Sequence, residues 1–256
     1  MTTSLQVIEE YPSGDGTPLA ETFAHVYAIL MALEVLKQFL EGQQATVLAN
    51  QFMHYVQNGT KGTVAPDVMV IFGVKPGGRD SYVIEKEGAV PSVVFEMTSP
   101  GTKAEDKGNK KNLYARLGVQ EYWLFDPKGE WIKDKLNGYR LITVEEDGIL
   151  VNRYEQITDG TSQPLGLRLV VEGDLIGFYR LDNGQKLLIP SELAAELRRT
   201  SLMLEQEREQ TQQERQRADQ AEERAIQAEQ QAENERIAKE RMAERLRALG
   251  LDPDEL

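Results

Sequence analysis

The chain has 256 residues, no cysteine, two histidines and a formal net charge of −13 from 29 basic and 42 acidic side chains. This excludes a disulfide framework, a zinc–thiolate centre, a thiol nucleophile and an all-histidine cage, so any metal would sit on oxygen ligands. The acid excess argues against coating nucleic acid by bulk charge, and no ~20-residue apolar run or signal core occurs, so a soluble, cytoplasmic protein without a membrane partner is expected.

In chain order, residues 20–41 form the clearest helix. Phe23, Val26, Tyr27, Leu30, Leu33, Leu36, Phe39 and Leu40 recur at three- and four-residue spacing, and Gly42 stops the run. His25 reads as belonging to its polar side. Strand-like pieces follow at 45–56 and 64–74; in the second, Val68–Phe72 is continuously apolar, as in a strand buried on both faces. Residues 92–100 give another buried-type strand, 102–118 a helix ended by Gly118, and 121–127 a third apolar strand closed by Asp126-Pro127. From Trp131 to Leu188, short strands alternate with Asn137-Gly138, Asp147-Gly148, Asp159-Gly160 and Asn183-Gly184, which predicts hairpins. The expected class is α/β (α+β): a sheet covered by helices, with an antiparallel annex.

Every aromatic residue precedes Pro190, the last being Tyr179, and the segment from Pro190 carries 17 acids and 11 bases. It cannot build a core alone, so a helical tail is expected, capped by Ser191. Alternating steps of four and three from Leu193 pass Leu197, Thr200 and Leu204, an alanine block at 218, 221, 225, 228 and 232, then Met242, Leu246 and Leu249. That is a heptad seam with polar breaks at Glu207, Glu214, Glu235 and Lys239, suited to weak coiled-coil association. A solvated single helix held by Glu–Arg pairs is the other reading.

Three features are polar where the pattern calls for apolar. Asp67 stands at the mouth of a buried strand, Glu96 interrupts Val93–Met97, and Asp106, Lys110 and Tyr114 share one face of the next helix by their four-residue spacing. A carboxylate in a buried strand costs several kcal/mol unless it meets a cation. Two carboxylates on neighbouring strands would offer hard oxygen ligands for Mg²⁺, and a lysine beside them would orient or deprotonate water, a set suited to phosphodiester hydrolysis. Each residue alone also fits an ordinary cap, an outward strand residue or an exposed ion pair. His54 reads as a satisfied sheet residue.

The blocks PDVMVIFGV, VVFEMTSPGTKAED, K-x-x-x-Y and GVQEYWLFDP, with the opening YPSGDGTPLAE, resemble the restriction-endonuclease family abundant in photosynthetic bacteria, part of the PD-(D/E)xK nuclease superfamily. The resemblance runs over roughly residues 8–180. It implies a restriction-endonuclease-like mixed sheet flanked by helices, Mg²⁺ (or Mn²⁺) dependence and DNA as substrate. By position it implies Asp67 and Glu96 as catalytic metal ligands, joined by the Met97 backbone carbonyl and by Glu21 at the first turn of the opening helix. The superfamily's lysine two residues after the acid is replaced by Thr98, and Lys110 occupies the place to which this family moves it. Ser99, Asp106 and Tyr114 are supporting residues. The implied organisation is a restriction-endonuclease-like domain at 1–189, a coiled-coil tail at 190–249 and a flexible C-terminus at 250–256, with a homodimer expected. The alternative is a degenerate nuclease fold kept as a binding module that associates through its tail.

Overall fold

The computed structural model describes residue 11 and residues 21–99, 106–146 and 148–248. Most of the opening YPSGDGTPLAE block, the first residues of the expected helix 102–118, Asp147 and the segment 249–256 lie outside the described residues. The chain divides into two compact units, Met1–Leu193 and Ala194–Leu256.

In the first unit, helix α1 is Phe23–Phe39, followed by strands β1 (Ala45–Ala49), β2 (Met53–Gln57), β3 (Thr60–Val64), β4 (Val68–Phe72) and β5 (Tyr82–Val83). A short helix α2 (Ile84–Glu87) leads to β6 (Val93–Met97), and a π-helical turn, Asp106–Lys110, runs into α3 (Lys111–Leu117) and β7 (Glu121–Phe125). Six further strands close the unit: β8 (Leu136–Glu146), β9 (Ile149–Ile157), β10 (Thr161–Ser162), β11 (Leu167–Glu172), β12 (Leu175–Arg180) and β13 (Lys186–Leu187).

The central sheet is mixed, in the order β1-β4-β6-β7-β8-β9. Only β6 and β7 pair in parallel, with the π turn and α3 in the connection between them; the other neighbours are antiparallel. Beside it lie the antiparallel sheet β10-β11-β12-β13 and the small sheet β3-β2-β5. The expected class, a mixed sheet flanked by helices with an antiparallel annex, is the observed one.

Strand alternation sends Val93, Phe95 and Met97 into a core shared with α1 and the four-stranded sheet, where Phe95 meets Phe178 edge to face at 6.0 Å. Val94, Met69, Ile71 and Leu124 face the other way, against Tyr114 and Tyr122. Both faces of β4, β6 and β7 are thus covered, which explains their unbroken apolar runs.

Several local expectations need correction. Thr22 caps α1, its side chain accepting from the His25 backbone N–H at 3.4 Å, so Glu21 precedes the helix instead of lying in its first turn. The buried face of α1 is His25, Ala28, Ile29, Ala32, Val35 and Leu36, while Phe23 is 80% exposed. His25 therefore points inward, not to the polar side. Residues 45–56 form two strands, broken at Asn50, which adopts a positive φ of 49°. Gly138 lies within β8, opposite Trp123, where a Cβ would stand 2.4 Å from the indole ring; it is needed for close approach, not for a turn. Asp159-Gly160 links β9 to a different sheet instead of closing a hairpin.

Helix α4 spans Pro190–Ala248, 59 residues. It begins one residue before the expected cap Ser191, with proline in the first position and the Glu192 carboxylate accepting from the Ile189 N–H at 3.1 Å. Among the described residues no helix is long and apolar enough to cross a membrane.

Candidate active site

The site begins with the pleat of β6. Because Val93, Phe95 and Met97 point toward α1, Glu96 must point to the opposite face, where it is fully buried. The turn and helix that follow supply its partners. Lys110 Nζ lies 2.9 Å from Glu96 Oε2, and the Tyr114 hydroxyl donates to Oε1 at 2.6 Å. Asp106, also buried, places Oδ1 3.1 Å from the same Lys110 Nζ. Its backbone carbonyl accepts from the Tyr122 hydroxyl at 2.9 Å, which ties the π turn to the sheet. The four-residue spacing of Asp106, Lys110 and Tyr114 thus does put all three on Glu96's side.

Asp67 enters from the neighbouring strand. Val68 is paired with Phe95, so Asp67 stands beside Glu96, and its Oδ2 accepts from the Met97 backbone N–H at 2.6 Å. On the other side of Asp67 stands His25, with Nε2 3.8 Å from Asp67 Oδ2 and Nδ1 3.7 Å from Glu21 Oε2. Glu21 therefore approaches the cluster through His25. Ser99 follows β6 and, with Thr22, His25, Thr98 and Asp126, lines a small cleft near the cluster. Glu21, Asp67 and Lys110 keep 19%, 15% and 13% of their side chains exposed, so the cluster is reached from solvent on their side.

The electrostatics follow from one lysine serving several acids. Burial first, then the negative charge of Asp67, holds the Glu96 carboxyl well above the ordinary range, and Lys110 only partly opposes this. Burial disfavours the Lys110 ammonium, but Glu96 and Asp106 outweigh it and the net shift is upward. Lys110 is therefore a fixed cation suited to orienting water and stabilising charge, and poorly suited to removing a proton. Burial and the adjacent Glu96 carboxylate both push the Tyr114 hydroxyl up, so it remains a donor. For His25, burial opposes protonation, yet Asp67 and Glu21 raise it above its ordinary value.

A hard divalent cation fits this donor set, though not as a preformed cage. Among the described residues no three His, Asp or Glu side chains converge on one point. Mg²⁺ commonly takes one or two carboxylates and keeps several waters, which Asp67 and Glu96 can satisfy. Among the described residues, polar atoms without a hydrogen bond also remain buried here: His25 Nδ1, Thr98 Oγ1 and both Asp106 oxygens, Oδ1 of which makes an ion-pair contact with Lys110. Such atoms call for a missing partner such as water or an ion.

His25 is the site residue that the sequence did not reveal. Its neighbours Phe23, Val26 and Tyr27 make a convincing apolar stripe, yet they lie on or near the exposed side of α1. Two other buried acids prove structural. Glu121 binds Arg140 at 3.0 Å and accepts from Trp123 Nε1 at 3.2 Å, and Asp126 accepts loop N–H groups from Gly129, Trp131 and Ile132. His54 Nδ1 lies 2.9 Å from Thr63 Oγ1, away from the cluster.

Residues 10–167 match the model of the family described as "Uma2: Putative restriction endonuclease". A crystal structure described as a putative nuclease belonging to DUF820, from Anabaena variabilis, is similar over 66% of this chain and 80% of that chain, with 14% identity and a TM-score of 0.39. No curated protein matches. With the family model covering more than half its length, including every residue of the cluster, the chain belongs to the Uma2 restriction-endonuclease family.

Proposed function

We propose that the protein is a Mg²⁺-dependent endonuclease that hydrolyses phosphodiester bonds in DNA. The observation that carries this reading is the Glu96–Lys110 pair at 2.9 Å, with the part-exposed Asp67 across the strand pair near enough for its charge to act on both. Asp67 and Glu96 would hold the cation, with the Met97 carbonyl as a further oxygen and Glu21 acting through the His25 side. A bound divalent cation supplies positive charge against the phosphate and lowers the pKa of a water; Mn²⁺ would serve the same role. Lys110 orients the attacking water and stabilises charge gathering on the phosphate oxygens. Tyr114 and Asp106 position Glu96 and Lys110, and Ser99 lines the approach. The lysine thus does from the helix what the superfamily pattern assigns to the position of Thr98.

The test is a nicking assay on supercoiled DNA with Mg²⁺ or Mn²⁺, comparing wild type with Glu96→Gln and Lys110→Ala. Cation-dependent nicking lost in both variants is the expected result. Activity that survives both substitutions, or that ignores chelation, would defeat the mechanism. A wild type that binds DNA without cutting under any cation would leave the alternative, a nuclease fold kept as a binding module.

A further inference from the structure

Helix α4 runs 59 residues, about 90 Å at 1.5 Å per residue, and carries an uncovered apolar seam. Leu197, Leu204 and Met242, all on that seam, stand 62%, 48% and 67% exposed. With Leu197 as an a position of the heptad, the alanine block occupies alternating a and d positions: Ala218, Ala221, Ala225 and Ala228. What decides the occupant is the charge beside that block.

In a parallel, in-register pair, each g residue faces the e residue five positions later on the second helix. Arg217 then faces Glu222 of the second copy, and Arg224 faces Glu229, on both sides of the alanine block. An antiparallel pair centred on the same alanines sets Glu222 against its own copy and Arg224 against its own copy. It retains only Arg215 with Glu229. The seam's acidic breaks fit the same geometry. Glu207, Glu214 and Glu235 occupy d positions, and each is followed at e by an arginine: Arg208, Arg215 and Arg236. In a parallel pair the hole that receives a d side chain is bounded by the facing e residue, so each glutamate meets an arginine. Lys239, at an a position, is a polar seam residue of the kind that sets register at some cost in stability.

We propose that α4 docks on a second copy of itself as a parallel, in-register two-stranded coiled coil, which fastens two restriction-endonuclease-like units to the same end of the pair. The proposal is independent of the catalytic one, since it rests on α4 alone.

Because the chain has no cysteine, single-cysteine variants of the full-length protein report register directly. Ala221→Cys, at a d position, should form a disulfide-linked dimer on mild oxidation, while Gln230→Cys, on the outer face, should form little. In sedimentation equilibrium the wild type should dimerise reversibly. Arg217→Glu with Arg224→Glu should raise the dimer Kd by about tenfold or more, and adding Glu222→Arg with Glu229→Arg should restore it. A wild type that stays monomeric, an Ala221→Cys variant that cross-links no better than Gln230→Cys, or a charge reversal without effect would overturn the proposal.

Discussion

Lys110 reaches Glu96 from a helical turn fourteen residues further along the chain, and the two side chains meet at 2.9 Å. Position 98, two residues after the acid and just past the end of β6, is a threonine, so the cation beside Glu96 comes from the helical turn instead of from the strand. Here the helical route also brings Asp106 and Tyr114, so the cation and the acid are each held by a second partner.

This arrangement makes the charge of Lys110 the quantity to test. Lys110→Ala should lower the nicking rate by roughly 10²-fold or more, in the range found when a single stabilising group is removed from a reacting phosphate or oxyanion site. Lys110→Arg keeps the charge but not the point geometry and should retain part of the activity. Circular dichroism should show both variants folded. A Lys110→Ala variant as active as wild type would remove the lysine from the mechanism.

The raised pKa values of Glu96 and His25 predict how stability depends on pH in the cation-free protein. For each, the folded value lies above the unfolded one, so the folded state binds more protons and stability is lost as pH rises. The Glu96 contribution is fully present below about pH 4.5, its ordinary value, and is lost as pH rises through the higher folded value. The His25 contribution is complete below about 6.5 and is lost through a value above that. In chelator, thermal melting should therefore fall as pH rises above about 4.5, where the depressed Glu87 and Glu172 carboxyls, which act in the opposite sense, already contribute in full. Glu96→Gln should flatten the part that begins at the lower pH, and His25→Asn the part above neutrality. A flat wild-type profile would contradict the burial of Glu96 beside Asp67.

Much of this cluster was legible from one kind of signal, polarity in a place that requires apolar residues. Glu96 stands out because both neighbours on its strand are buried, and Asp106, Lys110 and Tyr114 because helical spacing stacks them. That signal fails for His25. A histidine on an amphipathic helix is ordinary, and the exposed Phe23 and Val26 disguise which face is inside. It fails again for the π turn, whose spacing differs from that of a regular helix by one residue and leaves no mark in the composition. Gly138 shows a third kind of failure: Asn-Gly usually signals a turn, but here the glycine admits the Trp123 ring from the adjacent strand, a contact no local pattern encodes.

Gly138→Val tests that last point. A Cβ at this position would lie 2.4 Å from the Trp123 ring, and Trp123 is buried in the core shared with α1. With no room to withdraw the indole, overpacking should cost about 1–3 kcal/mol. Trp123→Leu in the same background should recover part of the loss, since the smaller side chain frees the space. Denaturant unfolding measures both, and a neutral Gly138→Val would mean that the strand pair can spread.

The last prediction concerns cation binding separately from catalysis. A ligand held only by the folded state raises stability by RT ln(1 + [L]/Kd), about 1.4 kcal/mol at ten times Kd. For a body near 190 residues that is roughly 3–6 °C in Tm. Mg²⁺ or Mn²⁺ should therefore raise the melting temperature of the wild type, and a chelator should reverse it. Asp67→Asn should abolish the shift, because a neutral amide replaces the ionised carboxylate that hard cations prefer. Glu121→Gln should melt at a lower temperature, since Glu121 anchors Arg140 and Trp123, yet should respond to the cation as the wild type does. The shift should also grow as pH rises, because the raised Glu96 carboxyl must lose its proton to act as a ligand. A shift of equal size in Asp67→Asn would place the cation elsewhere, and its absence in the wild type would separate this cluster from metal chemistry altogether.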